Sequence, residues 1–118
     1  MLTIREDQQI YFYRHAIDMR KSINGIGHHL LETLDQNPQT GDIFIFLNKG
    51  RDKMKLLFWD RNGFVLYYKR MAKGKFKLSK EIVDEKLAIN SKQLQALLMG
   101  LDFYQLGAYP LEVYEDFF

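Results

Sequence analysis

Short runs in which hydrophobic and polar residues alternate recur along the chain, a pattern typical of half-buried β-strands. Residues 54–59 and 64–69 form the clearest pair of runs, and they flank Asn62-Gly63. Asn and Gly tolerate the positive φ angles of a tight turn, so the two runs are predicted to form a hairpin. A second break at residues 72–74 leads into residues 76–78, which we predict to be the third strand of a meander.

Two earlier runs, residues 9–14 and 42–47, are also predicted to be strands. The runs at residues 43–47, 54–59 and 64–68 place apolar side chains on both faces. Short loops separate the runs at residues 42–47, 54–59, 64–69 and 76–78, so antiparallel pairing is expected for the sheet. Residues 79–89 have a mixed pattern that predicts no element. Helices can cover one face of such a sheet, so the other face is expected to need a second layer, a dimer partner or a ligand.

Apolar residues spaced three or four apart predict two α-helices. The first covers residues 18–36 with Asp18 as its N-cap, and the second covers residues 91–101 with Asn90 or Ser91 as its N-cap. Together these elements predict an α+β fold. It consists of an antiparallel sheet of about four or five strands, with a central meander and two helices packed on it.

Length and composition limit the class of protein. The chain has 118 residues, which suits a single domain over residues 1–118, and residues 102–118 are predicted to be an acidic, aromatic tail that is mobile or ordered by a partner. It has no Cys, which excludes disulfides, Cys-ligated zinc and thiol catalysis. There is no signal-peptide pattern and no apolar run of membrane-spanning length, so a cytoplasmic location without a membrane partner is expected.

Charge is distributed unevenly along the chain, although the formal net charge is only +2. Residues 1–47 contain four Lys/Arg and six Asp/Glu, residues 48–80 contain eleven and two, and residues 81–118 contain two and seven. The basic central block is either a surface that faces anions or a solvated rim balanced by the acidic tail.

Histidines and glycines give little support for a metal or nucleotide site. His28 and His29 are adjacent, so on a helix they point about 100° apart and do not form the i, i+4 pair that binds zinc. Gly25 and Gly27 lie inside the first predicted helix. We expect them to allow close packing of the helix on the sheet rather than to form a phosphate-binding loop.

Carboxylates were the remaining candidates for catalysis, because a metal-dependent nuclease needs two or three acidic groups that converge on divalent ions. Asp42 and Asp60 lie at predicted strand ends, with Glu81, Asp84 and Glu85 further along the chain. Asp60 is better explained as the first residue of the hairpin turn, where its side chain can bond turn amides. We therefore predict no catalytic residue, no metal and no cofactor.

Basic and aromatic residues interleave along the meander. Successive turns of a meander lie at opposite ends of the sheet. The turns at residues 48–52 and 72–74, which are both basic and are separated by the turn at residues 60–63, are therefore expected to share one end. A phosphate backbone can lie along that end, with the rings of Tyr67, Tyr68 or Trp59 available for stacking. The alternative is that the lysines protect edge strands and keep the surface soluble. The candidate binding residues, two of them expected in the first turn of the first helix, are Arg20, Lys21, Lys49, Arg51, Lys53, Lys55, Trp59, Tyr67, Lys69, Arg70, Lys73, Lys75 and Lys77.

Several motifs resemble one known family. They are DMRK at residues 18–21, IFIF at 43–46 before NKGR at 48–51, and WDRNGFVLYYKRM at 59–71 followed by Gly74 and Phe76. In this order they resemble the small TnpB protein of bacterial insertion sequences of the IS-sixty-six type, the product of their second open reading frame. The resemblance covers about residues 10–102. This TnpB is unrelated to the RNA-guided nuclease of the same name.

The resemblance implies a non-catalytic accessory protein of DNA transposition that works beside a separate, larger transposase. It carries over no catalytic residues. The resulting hypothesis is that the basic, aromatic meander binds DNA, the transposase of the same element, or both. One alternative is a protein–protein adaptor or homodimer without direct DNA contact, formed through an uncovered aromatic sheet face. The enzymatic alternative is a metal-dependent nuclease.

Overall fold

The computed structural model describes residues 3–104 of the chain. The elements, in chain order, are β1 (Ile10–Tyr13), α1 (Ile23–Glu32), β2 (Ile43–Leu47), β3 (Lys53–Asp60), β4 (Gly63–Arg70), β5 (Lys86–Ile89) and α2 (Ser91–Leu98). The five strands form one sheet in the order β4-β3-β2-β1-β5. The predicted α+β class is confirmed.

The predicted hairpin is confirmed as β3 and β4, but its turn lies one residue earlier than Asn62-Gly63. Asp60 pairs with Gly63, so Arg61 and Asn62 form the loop, and the positive φ of 52° is found at Arg61. Eight cross-strand pairs join the two strands. Side-chain pairing along both faces of the two strands fixes their register, and this register decides which residues form the turn.

The third strand of the meander is β2, and the strand predicted at residues 76–78 is wrong. β2 pairs antiparallel with β3, whereas residues 71–85 contain neither a strand nor a helix. Phe76 is buried, and its side chain joins the core on the α2 side of the sheet. The chain therefore leaves the sheet after β4 and uses its apolar residues to cover the core.

The pairing of β1 also differs from the antiparallel expectation. β1 runs parallel to β2, because the connection through α1 is long enough for a crossover, and antiparallel to β5. β5 falls within residues 79–89, where the sequence predicted no element. It is a four-residue edge strand in which only Ile89 is buried, and such a strand leaves only a weak hydrophobic pattern.

Helix α1 is shorter than the predicted span of residues 18–36. It begins after the N-cap residue Ser22, and Asp18 lies in a preceding turn, where its carboxylate accepts a hydrogen bond from the Arg20 backbone amide (2.9 Å). The N-cap assignment of Asp18 is therefore wrong. Arg20 and Lys21 precede the helix rather than lying in its first turn. The local bond between a carboxylate and a nearby amide competes with helix formation, which explains the later start.

The two glycines of α1 do not mark close packing on the sheet, so that expectation is wrong. Apart from its chain neighbours and the backbone of α1 itself, a Cβ added at Gly27 would have no atom of the described chain within 4 Å, and one added at Gly25 would meet the Cβ of Lys21 at 3.2 Å. The helix instead packs on the sheet through buried side chains such as Ile26 and Leu30.

Helix α2 confirms the predicted cap. The Asn90 side chain accepts from the Gln93 amide at 2.8 Å, and the Gln93 side chain accepts from the Asn90 amide at 2.9 Å, which together form a capping box. Gly100 follows the helix with a φ of 80°, a left-handed conformation that favours glycine after a C-cap.

Both faces of the sheet are covered by the chain itself, so the expected need for a cover is met by a second layer. On one face α1 packs over Tyr13, Phe44 and Phe46, and on the other α2 packs over Phe12 and Ile45. Within residues 3–104 no helix is long and apolar enough to cross a membrane. Of the predicted tail at residues 102–118, all but the first three residues lie outside the described part of the chain.

Candidate nucleic-acid interface

The end of the sheet where β3 starts and β4 finishes collects the basic residues, as the meander argument expects. Lys53 pairs with Arg70 at this end. β1 and β2 are parallel, so Arg14, which follows β1, lies at the same end as the turn that follows β2. Charges that are far apart in the sequence therefore meet at one edge.

Backbone hydrogen bonds hold the chain after β4 against the turn before β3. The Met71 amide donates to the Asp52 carbonyl oxygen (2.8 Å), and the Phe76 amide donates to the Arg51 carbonyl oxygen (2.7 Å). Arg51 itself has a positive φ of 59°. These contacts place the lysines of residues 73–77 beside Arg51.

Two adjoining grooves result, and they share Arg51 and Leu78. The larger has a volume of about 610 Å³ and the smaller about 380 Å³. We call this surface the basic end. Its cations are Arg14, Lys49, Arg51, Lys73, Lys75, Lys77 and Lys80. All of them except the half-buried Arg14 are exposed.

The local charge of the basic end is strongly positive. None of its seven cations forms an ion pair with another residue of the described chain, and Asp102 is the one carboxylate that lines either groove. Asp52 lies nearby, and a hydrogen bond from the Asn48 side chain (2.7 Å) lowers its pKa and keeps it ionised, but its charge is offset by an ion pair with Lys53 (3.6 Å). The surface is therefore suited to an anionic ligand.

Two of the predicted binding lysines make contacts inside the protein. Lys55 is buried, and its ammonium donates to the carbonyl oxygens of Met19 (2.7 Å) and Lys21 (2.6 Å). The ammonium of Lys69 donates to the Leu98 carbonyl oxygen at the end of α2 (2.6 Å). Both side chains hold elements of the fold together.

Arg20 and Lys21 do not line the grooves of the basic end. The Arg20 guanidinium forms an ion pair with Asp18 (2.6 Å), and its hydrogen bonds lower the pKa of the Asp18 carboxyl to about 2. Lys53 is paired with Asp52 at 3.6 Å, and Arg70 is exposed beside it at the end of the sheet.

Two of the predicted stacking residues lie away from the basic end, whereas the third, Tyr68, is exposed and has the Lys55 ammonium 5.2 Å from the centroid of its ring. Trp59 is near the opposite end of β3, where its ring makes an edge contact with Phe64 at 5.0 Å between centroids. The Tyr67 side chain lies on the face of the sheet that α2 covers and packs against the hydrophobic core there. The structure thus does not bring Trp59 or Tyr67 together with the lysines.

Sequence reasoning missed Arg14 and Lys80 as members of this surface. Arg14 lies in the first third of the chain, and only the parallel pairing of β1 with β2 brings it to Lys49. A signal was available, since residues that follow parallel strands share one edge of a sheet. Lys80 was part of the basic block by charge count but outside the predicted turns.

Metal or acid–base chemistry gains no support from the arrangement of acidic groups and histidines. Residues 3–104 contain no cluster of three His, Asp or Glu that could hold a metal ion. Asp42 accepts a hydrogen bond from the Gln9 amide (3.1 Å) at the start of the β1–β2 pair. Asp60 ends β3 at the hairpin, but the Asn62 amide donates to its backbone carbonyl oxygen, and within the described chain its side chain makes none of the predicted bonds to turn amides.

Comparison with known proteins places the chain in a family. Two curated relatives come from Sinorhizobium fredii (strain NBRC 101917 / NGR234). "Uncharacterized protein y4jC" is 29% identical over 96 residues, which covers 81% of each chain. "Uncharacterized protein y4hO" is 27% identical over 103 residues, which covers 87% of this chain and 89% of the relative. No solved structure matches the chain significantly.

The family model described as "IS66 Orf2 like protein" matches residues 8–108. This span includes every strand and helix of the fold and all cations of the basic end. The chain therefore belongs to the IS66 Orf2-like family, an accessory, non-catalytic family of transposition.

Proposed function

We propose that the protein serves transposition by binding the phosphate backbone of DNA at the basic end, in the cytoplasm where the element's DNA lies. The observation that carries the proposal is the meeting of cations from three separate chain segments in two grooves that share Arg51. Surface lysines that only aid solubility do not need to converge. Convergence on one concave edge is what a polyanion requires.

The chemistry of the surface supports backbone contact rather than base reading. The cations are mostly flexible lysines, which act as point charges toward phosphate, and the predicted stacking rings of Trp59 and Tyr67 lie elsewhere. If all seven cations neutralise a phosphate, the logarithm of the association constant should fall with the logarithm of salt concentration with a slope of about −6.

A salt titration with duplex DNA tests the proposal. The replacement of Lys73, Lys75 and Lys77 by Gln should weaken binding and make the slope shallower by about three. A matched control replaces Arg5, Arg61 and Lys92, which lie away from the basic end, by Gln and should leave the slope unchanged. A flat salt response of the parent chain, or no binding below about 100 µM, would reject DNA binding.

The transposase of the same element is the second candidate partner, and the observation that favours it is an apolar groove between α1, the loop at residues 37–39 and Phe64 of β4. This groove has a volume of about 260 Å³ and is lined by Ile23, Leu31, Pro38 and Phe64, among others. Leu31 is 55% exposed and continues the apolar lining of the groove, and contiguous apolar surface of this kind can mark a protein-binding site. We propose that an apolar segment of the transposase binds there.

Retention of the transposase on immobilised protein, with and without end-sequence DNA, tests this second proposal. Leu31→Glu should abolish retention while DNA affinity stays within about twofold, because one rim charge remote from the basic end changes DNA binding little. Glu32→Gln, at the neighbouring exposed position, is the control. Equal retention by the Leu31→Glu variant and the parent would contradict the proposal.

A further inference from the structure

The larger groove of the basic end has an apolar floor that phosphate binding does not use. Besides its cations it is lined by Met71, Leu78 and Met99, and Met99 is 51% exposed. Methionine side chains adapt to irregular apolar ligands. A surface with a cationic rim and an apolar floor is complementary to a peptide that is both acidic and aromatic.

We propose that residues 105–118 of the same chain bind in this groove as an acidic, aromatic peptide. They contain Glu112, Glu115 and Asp116 and no Lys or Arg, and they include two Tyr, two Phe and two Leu. Their charge matches the rim of the groove, and their aromatic and aliphatic side chains match its floor.

The described chain ends beside the groove, so residues 105–118 begin close to their proposed binding site. Asp102 lines the groove, and Phe103 is fully buried with its ring in edge contact with Phe12 at 5.2 Å between centroids. Fourteen residues follow Tyr104, with an extended reach of about 46 Å. Because that reach exceeds the 38 Å length of the folded part, every cation of the groove is accessible to them.

Attachment to the same chain gives the segment a millimolar effective concentration at the groove, so even a weak peptide occupies it. The consequence, which rests on the proposed DNA binding, is competition: DNA has to displace the segment from the cations that both ligands use. The docking itself does not depend on DNA.

Lysine reactivity in the full-length chain tests the docking without DNA. The test variant carries Glu112→Gln, Glu115→Gln and Asp116→Asn. With a limiting amount of an acetylating reagent and detection by mass spectrometry, Lys73, Lys75 and Lys77 should react about five to ten times faster in this variant than in the parent, the change expected from three weak exposed ion pairs. Lys92, away from the groove, should react equally in both.

A second variant separates docking from a general effect of charge. Glu6→Gln, Glu32→Gln and Asp35→Asn change the net charge by the same amount at exposed positions away from the groove. This control should leave the reactivity of the groove lysines at the parent value. Equal lysine reactivity in the parent and the test variant would overturn the proposal, and so would an equal rise in the test variant and the control.

Duplex DNA affinity then distinguishes the two proposals. The test variant should bind DNA about tenfold more tightly than the parent, and the control should differ from the parent by less than about threefold. If the groove lysines are protected but no variant binds DNA, docking stands and the proposed DNA binding fails. If DNA binds and the lysines are equally reactive in all variants, DNA binding stands and docking fails.

Discussion

Lys55 shows at the scale of one residue how a lysine in a basic stretch can belong to the fold. Its position among eleven basic residues suggested a place on the surface, but it lies on the α1 face of β3 and bonds the two carbonyl oxygens that precede that helix. A buried ammonium is tolerated because its hydrogen bonds replace those to water. Its neighbour Tyr68 adds a ring contact at 5.2 Å.

Replacement of Lys55 by Met should lower the free energy of unfolding by about 1–3 kcal/mol, because two partly buried carbonyl groups lose their donor. Urea denaturation measures the change. Lys75→Met, at an exposed position of the basic end, is the control and should stay within about 0.5 kcal/mol of the parent. Equal stability of the two variants would show that the Lys55 contacts contribute nothing.

His29 makes the stability dependent on pH. Its ring packs edge-on against Phe46 at 6.0 Å between centroids, and burial, helped by the charge of Lys21, lowers its pKa below the ordinary 6.5. The unfolded chain therefore binds a proton more readily than the folded chain. The contribution of His29 to the free energy of unfolding is therefore fully present above pH 6.5, and it is lost as the pH falls through the lower pKa of the folded state.

We expect His29→Gln to remove this part of the pH dependence between about pH 7 and pH 5. Urea midpoints measured across that range should fall less steeply in the variant than in the parent. His28→Gln, which changes an exposed neighbour, serves as the control and should keep the parent slope. A His29→Gln profile parallel to that of the parent would contradict the assignment.

At the scale of elements, a glycine in its interior makes helix α1 less stable than an alanine there would. Gly27 is in a helix interior, and apart from its chain neighbours and the backbone of α1 itself, a methyl group there would meet no described atom within 4 Å. Gly27→Ala should therefore stabilise the protein by about 0.5–1 kcal/mol, measured as a shift in the urea midpoint. Gly25→Ala is the matched comparison and should gain less, since its Cβ would crowd Lys21. A larger gain at Gly25 would refute this reasoning.

Elements with strong local signals were predictable from the sequence. The β3–β4 hairpin, β1, β2 and the Asn90 cap of α2 follow from alternation, turn residues and capping chemistry. The start of α1 was not predictable from periodicity alone, because Asp18 satisfies a local amide instead of capping the helix. β5 was missed for another reason: a short edge strand is defined by its partner, and β1 is more than seventy residues away.

In the candidate site too, positions that follow from local turns were predictable, whereas contacts between distant parts of the chain were not. Arg51, Lys73, Lys75 and Lys77 were predicted to share one end of the sheet, and the structure places them together. The roles of Lys55 and Lys69 depend on which backbone carbonyls lie within reach. Such contacts arise between distant parts of the chain, so no local pattern encodes them.

At the scale of the whole molecule, the basic end is separate from what stabilises the fold. Lys73, Lys75 and Lys77 are exposed, and none forms an ion pair within the described chain. Their joint replacement by Gln should therefore change the free energy of unfolding by less than about 0.5 kcal/mol per site, as measured by urea denaturation. A large loss of stability would show that these lysines are structural.

The position of β1 between β2 and β5 has a consequence for how the chain folds during synthesis. The β2–β4 meander joins neighbouring segments, whereas the β1–β5 pair joins residues 73 to 79 positions apart. Closing so long a loop is slow, so β5 should dock last. A nascent chain can then form its meander on the ribosome, but it completes the sheet only after β5 has emerged. In hydrogen exchange, the amides of β5 should be the first of the strand amides to open.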